Sequence, residues 1–456
     1  MPVLQIVKRS VLHAGRATGA FAAVARSRWR ARRLLILGYH GVSLADEHVW
    51  DPHLYMAPGV FRHRLALLRK HRCAVLGLDE ALARLADGTL PPRAVTLTFD
   101  DGFYDFAARA RPLLEEFGYP ATVYLTTHYV GRGLPVFNVM SRYLLWRGRT
   151  RTLRVGDVLD GGARTPPETT YDLATDAGRT AARRALHREA ERCLLSSPAK
   201  DELAGRLAHA LGVDYAALRA ARVLQLMRPG EVAECAARGV AFALHTHRHR
   251  TPADRAAFCA EIATNRSRLQ AMLPAGDGAA GLSHFCYPSG DHRPALESWL
   301  AESDVVSATT CVPGLAAPDT PRLALPRFLD GNHVPAVAFE GWLAGAMAVL
   351  PHPTYLGLQP GPGSPASLVA AREDLACASR TTAWRCCTTT ARASAAAFAF
   401  ATFSARSASV LRTIKPSTAS AASSVSPTCG TVPADASVAG PLVDSAGAGR
   451  AVRSNW

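Results

Sequence analysis

Short apolar runs alternate with helical patterns between residues 33 and 345, and that alternation restricts the fold more than any other feature of the chain. The runs are RLLILGYH (33 to 40), AVTLTFDD (94 to 101), ATVYLTT (121 to 127), VAFALHTH (240 to 247), SHFCYPSG (283 to 290), VVSATT (305 to 310) and RLALPRF (322 to 328). Their length and β-branched content predict buried strands. Helical spacing fills the intervals: PGVFRHRLALLRKH from 58, LDEALARLADG from 78, DFAARARPLLEEFG from 105, PGEVAECAARG from 229 and DRAAFCAEIATNRSRLQAML from 254. Gly88, Gly118 and Gly239 stand where left-handed C-caps belong. Strand and helix in alternation predict an α/β fold with a parallel sheet, closed or nearly closed into a barrel. A chain of 456 residues, 48% of them hydrophobic, can bury the core this needs.

Three segments depart from the alternation. Residues 1–32 interleave Arg and Lys with Val, Leu, Phe and Ala, which predicts a basic amphipathic helix able to touch a membrane surface. A helical insertion at about 170–222 reads as a lid or buttress. From 350 to 456 the chain is Ala, Ser, Thr and Arg without sustained periodicity, and this composition predicts a disordered tail. The N-terminus lacks the apolar core of a secretory signal and no run is long enough to span a bilayer, so a cytoplasmic protein able to touch a membrane through its N-terminal helix is expected. Ten scattered cysteines without a CxxC pair agree with reduced usage. The net charge of +15 is spread along the chain with no nucleic-acid-binding motif, and no nucleic-acid partner is expected.

Chemistry gathers at three strand ends. TLTF ends in Asp100 and Asp101, VAFAL in His245, and HFCYP in Ser289 and Gly290. In parallel α/β folds the carboxyl ends of strands converge on one face, so these distant residues become neighbours. Adjacent aspartates resist burial unless a cation, a proton or open water is at hand. In HTHRHRT, His245 and His249 lie four apart and can turn both imidazoles toward one ion, and one aspartate completes three ligands with positions left for water and substrate. Paired aspartates alone are more often a helix cap, and HxxxH alone an ordinary pair of histidines. Their order on one barrel face favours the metal.

TFDDG, YPATVYLTT, HTHRH and FCYPSGD, with LGYHGVS before them and LALPRF after, resemble the polysaccharide deacetylases of carbohydrate esterase family four, the nodulation-factor deacetylase type, over roughly residues 33 to 345. The resemblance implies a distorted parallel (β/α) barrel of seven strands. It implies Asp100 as catalytic base, Asp101, His245 and His249 as ligands of a divalent metal, most commonly zinc, and a backbone N–H at Ser289 for the oxyanion. Some relatives carry an Arg where this chain has Cys286, and Arg327 in LPRF is the candidate substitute for orienting Asp100. The usual Leu-x-His acid is absent. His333 in DGNHVP is the nearest candidate for that role and His40 in GYHGV another, while His40 and Tyr287 are expected to face substrate. The implied reaction is metal-dependent removal of N-acetyl or O-acetyl groups from a glycan or glycan precursor. Two alternatives stand beside it: an inactive glycan-binding barrel, suggested by Cys286 and Ser289, and a deacetylase for a non-carbohydrate amide.

Overall fold

A computed structural model describes residues 2–159, 166, 168–274 and 280–349. The expected disordered tail, 350–456, lies outside the described residues. Twelve strands form among those described: β1 (Leu35–Tyr39), β2 (Gly41–Val42), β3 (Tyr55–Met56), β4 (Ala74–Val75), β5 (Ala94–Phe99), β6 (Thr122–Leu125), β7 (Thr152–Arg154), β8 (Thr170–Asp172), β9 (Ala241–Leu244), β10 (His284–Cys286), β11 (Ser307–Thr309) and β12 (Phe328–Leu329). The main sheet runs β11-β10-β9-β6-β5-β1-β12, parallel throughout, so seven strands make the distorted barrel. β4, too short to stand out in the sequence, pairs with the start of β5 at Ala94 and Val95, while β6 pairs with its end at Thr98 and Phe99. The two share one edge of β5.

Closure comes from the last run. Leu325 bridges to Thr309 of β11, and three residues on, Phe328 pairs with Leu37 of β1. The segment between them carries Arg327 across the seam, fully buried.

The pleat sorts side chains into two sets. Leu35, Leu37, Leu97, Phe99, Val123, Leu125, Phe242, Leu244 and Phe285 pack outward in one large cluster beneath the helices. Ile36, Tyr124, Ala243, Cys286 and Leu325 meet inside the barrel, where the helix Leu78–Ala86 adds Leu78, Ala81, Leu82 and Leu85. Inward positions near the carboxyl end of the barrel are polar: Thr98, Asp100, Thr126 and His245 are all buried.

A π-helical turn, Phe106–Ala110, follows the paired aspartates and continues into the α-helix Arg111–Phe117. Pro112 has no N–H to give an i→i−4 bond there, which accounts for the shifted register. Between β6 and β9 lies a helical layer, Phe137–Arg147, Asp176–Arg192 and Ser197–Ala210, with its own core around Leu144, Leu186 and Leu207. It meets the barrel where Met227 N–H donates to the Gly102 carbonyl and Tyr104 N–H to the Gln225 carbonyl.

The N-terminal region is three helices, Pro2–Ala17, Ala20–Arg26 and Arg28–Ala31, in place of the single helix expected. Gly19, at φ 78°, and Ser27, an extended N-cap, break the run. Arg16 pairs with Glu340, and Leu12 is buried against the barrel's own core. No helix among the described residues is long and apolar enough to cross a membrane.

Gly102 carries much of the geometry after β5. Its φ is +83°, and a Cβ there would lie 2.0 Å from Leu125 Cδ1. Gly102→Ala is therefore expected to cost at least about 2 kcal/mol, through both the left-handed backbone and the overlap with a core leucine. Urea unfolding followed by circular dichroism measures it.

Candidate active site and metal centre

Alternation along β5 turns Thr96, Thr98 and Asp100 inward, and by the same count Asp101 would point away from the barrel interior. It does not, because Asp101 adopts φ +69° and the chain reverses through Gly102. Thr246 and His249 are left-handed as well, at φ 58° and 52°. Non-glycine residues held in this region mark places where surrounding contacts impose the conformation. Here all three lie just beyond strand ends at one mouth of the barrel.

The result is a tight cluster. Asp101 Oδ1 stands 3.3 Å from His245 Nε2 and 3.1 Å from His249 Nε2. All three residues are buried, and their ligating atoms lie within 4.8 Å of one another. His245 Nδ1 is 2.8 Å from the Cys286 carbonyl oxygen, an acceptor only, so Nδ1 carries a proton and Nε2 is the nitrogen turned toward Asp101. Asp101 Oδ1 is buried without a hydrogen bond. A carboxylate oxygen and two imidazole nitrogens at this distance call for positive charge between them, either a proton on a ring or a cation. Ligand atoms about 2.1 Å from one ion at angles of about 90–110° stand roughly 3.0–3.4 Å apart, and the two separations found here fall in that range. The residues fit a divalent cation. Electrostatics agree: burial opposes charge on all three, yet the neighbouring imidazoles hold Asp101 well below the usual carboxylate range. Burial is likewise overridden at His245, whose neighbours Cys286 and Asp101 raise its pKa, whereas at His249 burial prevails and the pKa falls.

Asp100 is neutralised from the other side. Arg327 grips it with two bonds, Nη1 to Oδ1 at 2.7 Å and Nη2 to Oδ2 at 2.8 Å. Arg327 Nε donates to the Thr310 carbonyl, and Nη2 lies 3.1 Å from Cys286 Sγ. An arginine at 286 would occupy the space that this guanidinium fills, so the small thiol and the arginine from the closing strand go together. Burial pushes the Asp100 pKa up, but the charge of Arg327 and its hydrogen bonds win and bring it down to about 2.

The remaining sequence candidates divide. His40, partly exposed, has Nε2 3.8 Å from Asp100 Oδ2 and joins the cluster. Ser289 is exposed, at φ +55° in the turn Pro288–Gly290 directly after β10. Tyr287 does not face a substrate groove: Cys286 points inward, so the next residue points outward, and the Tyr287 ring is buried in the outer core with its hydroxyl donated to the Leu323 carbonyl. His333 stacks on His53, ring centres 3.9 Å apart, and its Nδ1 donates to the Pro52 carbonyl. That contact ties it to the loop just before β3, and no ion pair among the described residues joins it to Asp100 or Asp101. His247 turns aside to Thr127 Oγ1 at 2.9 Å.

Two residues of helix Arg255–Gln270 escaped the sequence reading. Asn265 accepts from His245 N–H at 2.9 Å and donates to the Leu125 carbonyl and Thr127 Oγ1. One turn earlier, Glu261 accepts from Arg248 N–H and pairs with Arg248 and Arg250. Buried polar residues four apart on one helix face, inside an otherwise apolar pattern, were the available signal.

Residues 87–153 match the family model described as polysaccharide deacetylase. Within that span the barrel is similar to polysaccharide deacetylases. The matched span contains β5, the paired aspartates and β6; the two histidines and Arg327 lie beyond it. No curated protein matched the chain. Among solved structures, Streptococcus pyogenes deacetylase PplD in complex with acetate is similar at 17% identity and TM-score 0.43, over 70% of this chain and 99% of that one. IcaB from Ammonifex degensii follows at 16% and 0.42, over 69% and 97%. The de-N-acetylase from Aggregatibacter actinomycetemcomitans stands at 13% and 0.41, over 68% and 99%. The fold is carried by the strand order and not by these likenesses.

Asn265→Ala removes the anchor of His245 while leaving every candidate ligand in place. The variant is expected to hold zinc about 10–100-fold more weakly than the unaltered protein, as loss of a ligand-orienting partner typically does. Competition with a chromogenic chelator reads the difference.

Proposed function

We propose that this deacetylase removes N-acetyl or O-acetyl groups from a glycan or glycan precursor, with Asp101, His245 and His249 holding a divalent cation, zinc by preference, beside Asp100 as general base. The observation that carries the reading is the pair of buried aspartates neutralised separately, Asp101 by two imidazoles and Asp100 by a fixed guanidinium. A divalent ion held there supplies Lewis-acid charge, which acidifies water and polarises an acyl oxygen.

The chain's own residues do the rest. Arg327 keeps Asp100 ionised and fixes its plane, so that the lone pairs not engaged by the guanidinium face the barrel mouth. Asp100 receives the proton of the attacking water. A carboxyl drawn down to about 2 holds such a proton weakly, and His40, 3.8 Å away, is the nearest group to take it on toward the departing amine or alcohol. We assign that relay to His40 in preference to His333, whose Nδ1–H is committed to Pro52. Ser289 N–H, in the turn after β10, is the proposed donor to the developing oxyanion. The three donor residues leave room for solvent and substrate, as a catalytic site requires.

The inactive-barrel reading drew on Cys286, but the guanidinium expected at that place is supplied by Arg327. The presence of this fork favours the enzyme.

Acetate release from chitooligosaccharides and acetylated cell-wall glycans, measured with zinc supplied, tests the assignment. Asp100→Asn is expected to keep the metal and lose about 10²–10⁴-fold in kcat, the range typical of a lost general base. The His245→Ala, His249→Ala double variant should lose bound metal and activity together. Undiminished release by Asp100→Asn would remove the base from the mechanism, and glycan binding without release across the substrate panel would decide for the binding barrel.

A further inference from the structure

The barrel has a second candidate site at its other end. Helix Arg28–Ala31 precedes β1 directly, whereas His40 follows it, so five residues of strand separate the two ends, roughly 15 Å. Between this helix and residues 317–319 lies a cavity of about 490 Å³, lined by Arg28, Trp29, Arg32, Arg33, Ala317, Pro318 and Asp319. Three arginines line it against one aspartate.

Its walls are fixed from behind. Arg30, on the same short helix, is fully buried and donates to the carbonyls of Leu343, Arg33 and Ala94. That arginine spends its donors on the barrel, and burial draws its pKa down to about 10. Arg33 is also held in place, stacked 4.4 Å over the Trp29 ring and donating to the Trp29 carbonyl. Opposite, Leu34 and Ala316 exchange both backbone hydrogen bonds, and Thr320 closes the next turn by bonding Ala317. Arg28 and Arg32 are exposed and make no ion pair with any described residue. A cavity of this size lined by three arginines suits an oxyanion, because arginine offers paired donors that phosphate oxygens accept two at a time. Trp29 adds an apolar ring face, and Asp319 an acceptor for a hydroxyl beside the phosphate.

We propose that this cavity binds a phosphoester carrying a neighbouring hydroxyl, its phosphate held by Arg28 and Arg32 with Arg33 behind them. Two sources share that chemistry: a soluble glycerol or sugar phosphate, and the headgroup of a phospholipid such as phosphatidylglycerol. In either case the catalytic mouth stays open, because the cavity lies at the opposite ends of the strands.

The test uses the full chain with two probes, glycerol 3-phosphate by titration calorimetry and phosphatidylglycerol vesicles by co-sedimentation, with phosphatidylcholine vesicles as the neutral comparison. Arg28→Gln with Arg32→Gln is set against Arg184→Gln with Arg188→Gln, which removes the same charge from exposed positions on helix Asp176–Arg192. Saturable binding weakened at least tenfold by the first pair and unchanged by the second is expected. Binding of anionic vesicles with that same dependence assigns the ligand to the membrane, and binding of glycerol 3-phosphate alone assigns it to solution. No saturable binding of either probe, or equal loss in both variant pairs, overturns the proposal. Neither readout involves acetate release, so the outcome is independent of the deacetylase reading.

Discussion

Two neighbouring carboxylates at the end of β5 are almost wholly shielded from solvent, Asp100 at 3% and Asp101 at 6% exposure, and the barrel mouth is organised around that demand. Unpaired buried charge is costly, so each aspartate needs its own positive partner. Asp100 has a covalently tethered one, a guanidinium that cannot lose its proton. Asp101 has only two imidazoles, which can supply one proton between them or yield their lone pairs to a cation. The first pair is permanent and structural, the second exchangeable. A metal hydrolase needs that division: a base whose charge does not depend on the ion, beside a site whose charge does.

The permanent pair also ties chemistry to topology. Arg327 sits on the segment that bridges β11 to β1, between the Leu325–Thr309 bridge and the Phe328–Leu37 pairing. The residue that orients the base is thus on the segment that closes the barrel. Breaking the buried pair by removing one member typically costs about 3–5 kcal/mol. Loss of Arg327 would therefore act on closure as well as on the base, whereas loss of an Asp101 ligand would leave the seam intact.

Much of this was legible in the sequence, and the pleat explains what was not. Strand runs, interleaved helices and the two motifs TFDDG and HTHRH predict the sheet and the meeting of Asp101, His245 and His249, because parallel strands bring their carboxyl ends to one face. Arg327 was visible as a candidate through its position at the end of the last run. Tyr287 was misplaced since a motif gives no parity: Cys286 faces inward, and its neighbour must then enter the outer core. His333 lies near the end of β12 in sequence, but the loop takes its ring to His53. Asn265 was hidden because a buried polar residue inside a helical pattern reads as a face position until its partners, 20 and 138 residues away, are known.

Parity also gives the left-handed residues their purpose. Two adjacent residues of a strand cannot both point inward, yet Asp100 and Asp101 both serve the same cavity. The conflict is resolved by ending the strand at Phe99 and turning Asp101 to φ +69°, with Gly102 completing the reversal against Leu125. The same device serves the opposite wall, where His245 is inward by alternation and His249 is brought back by the left-handed Thr246 and its own φ of 52°. Positive φ at residues with a Cβ costs energy that the flanking sequence does not return. The contacts that hold it are tertiary: Met227 on the Gly102 carbonyl, Thr126 on the Asp101 carbonyl, and Asn265 on the His245 amide. Those contacts come from the residue after β6, from the segment after the helical layer and from helix Arg255–Gln270. The site's precision is therefore a property of the assembled barrel, and the motifs alone supply only the atoms.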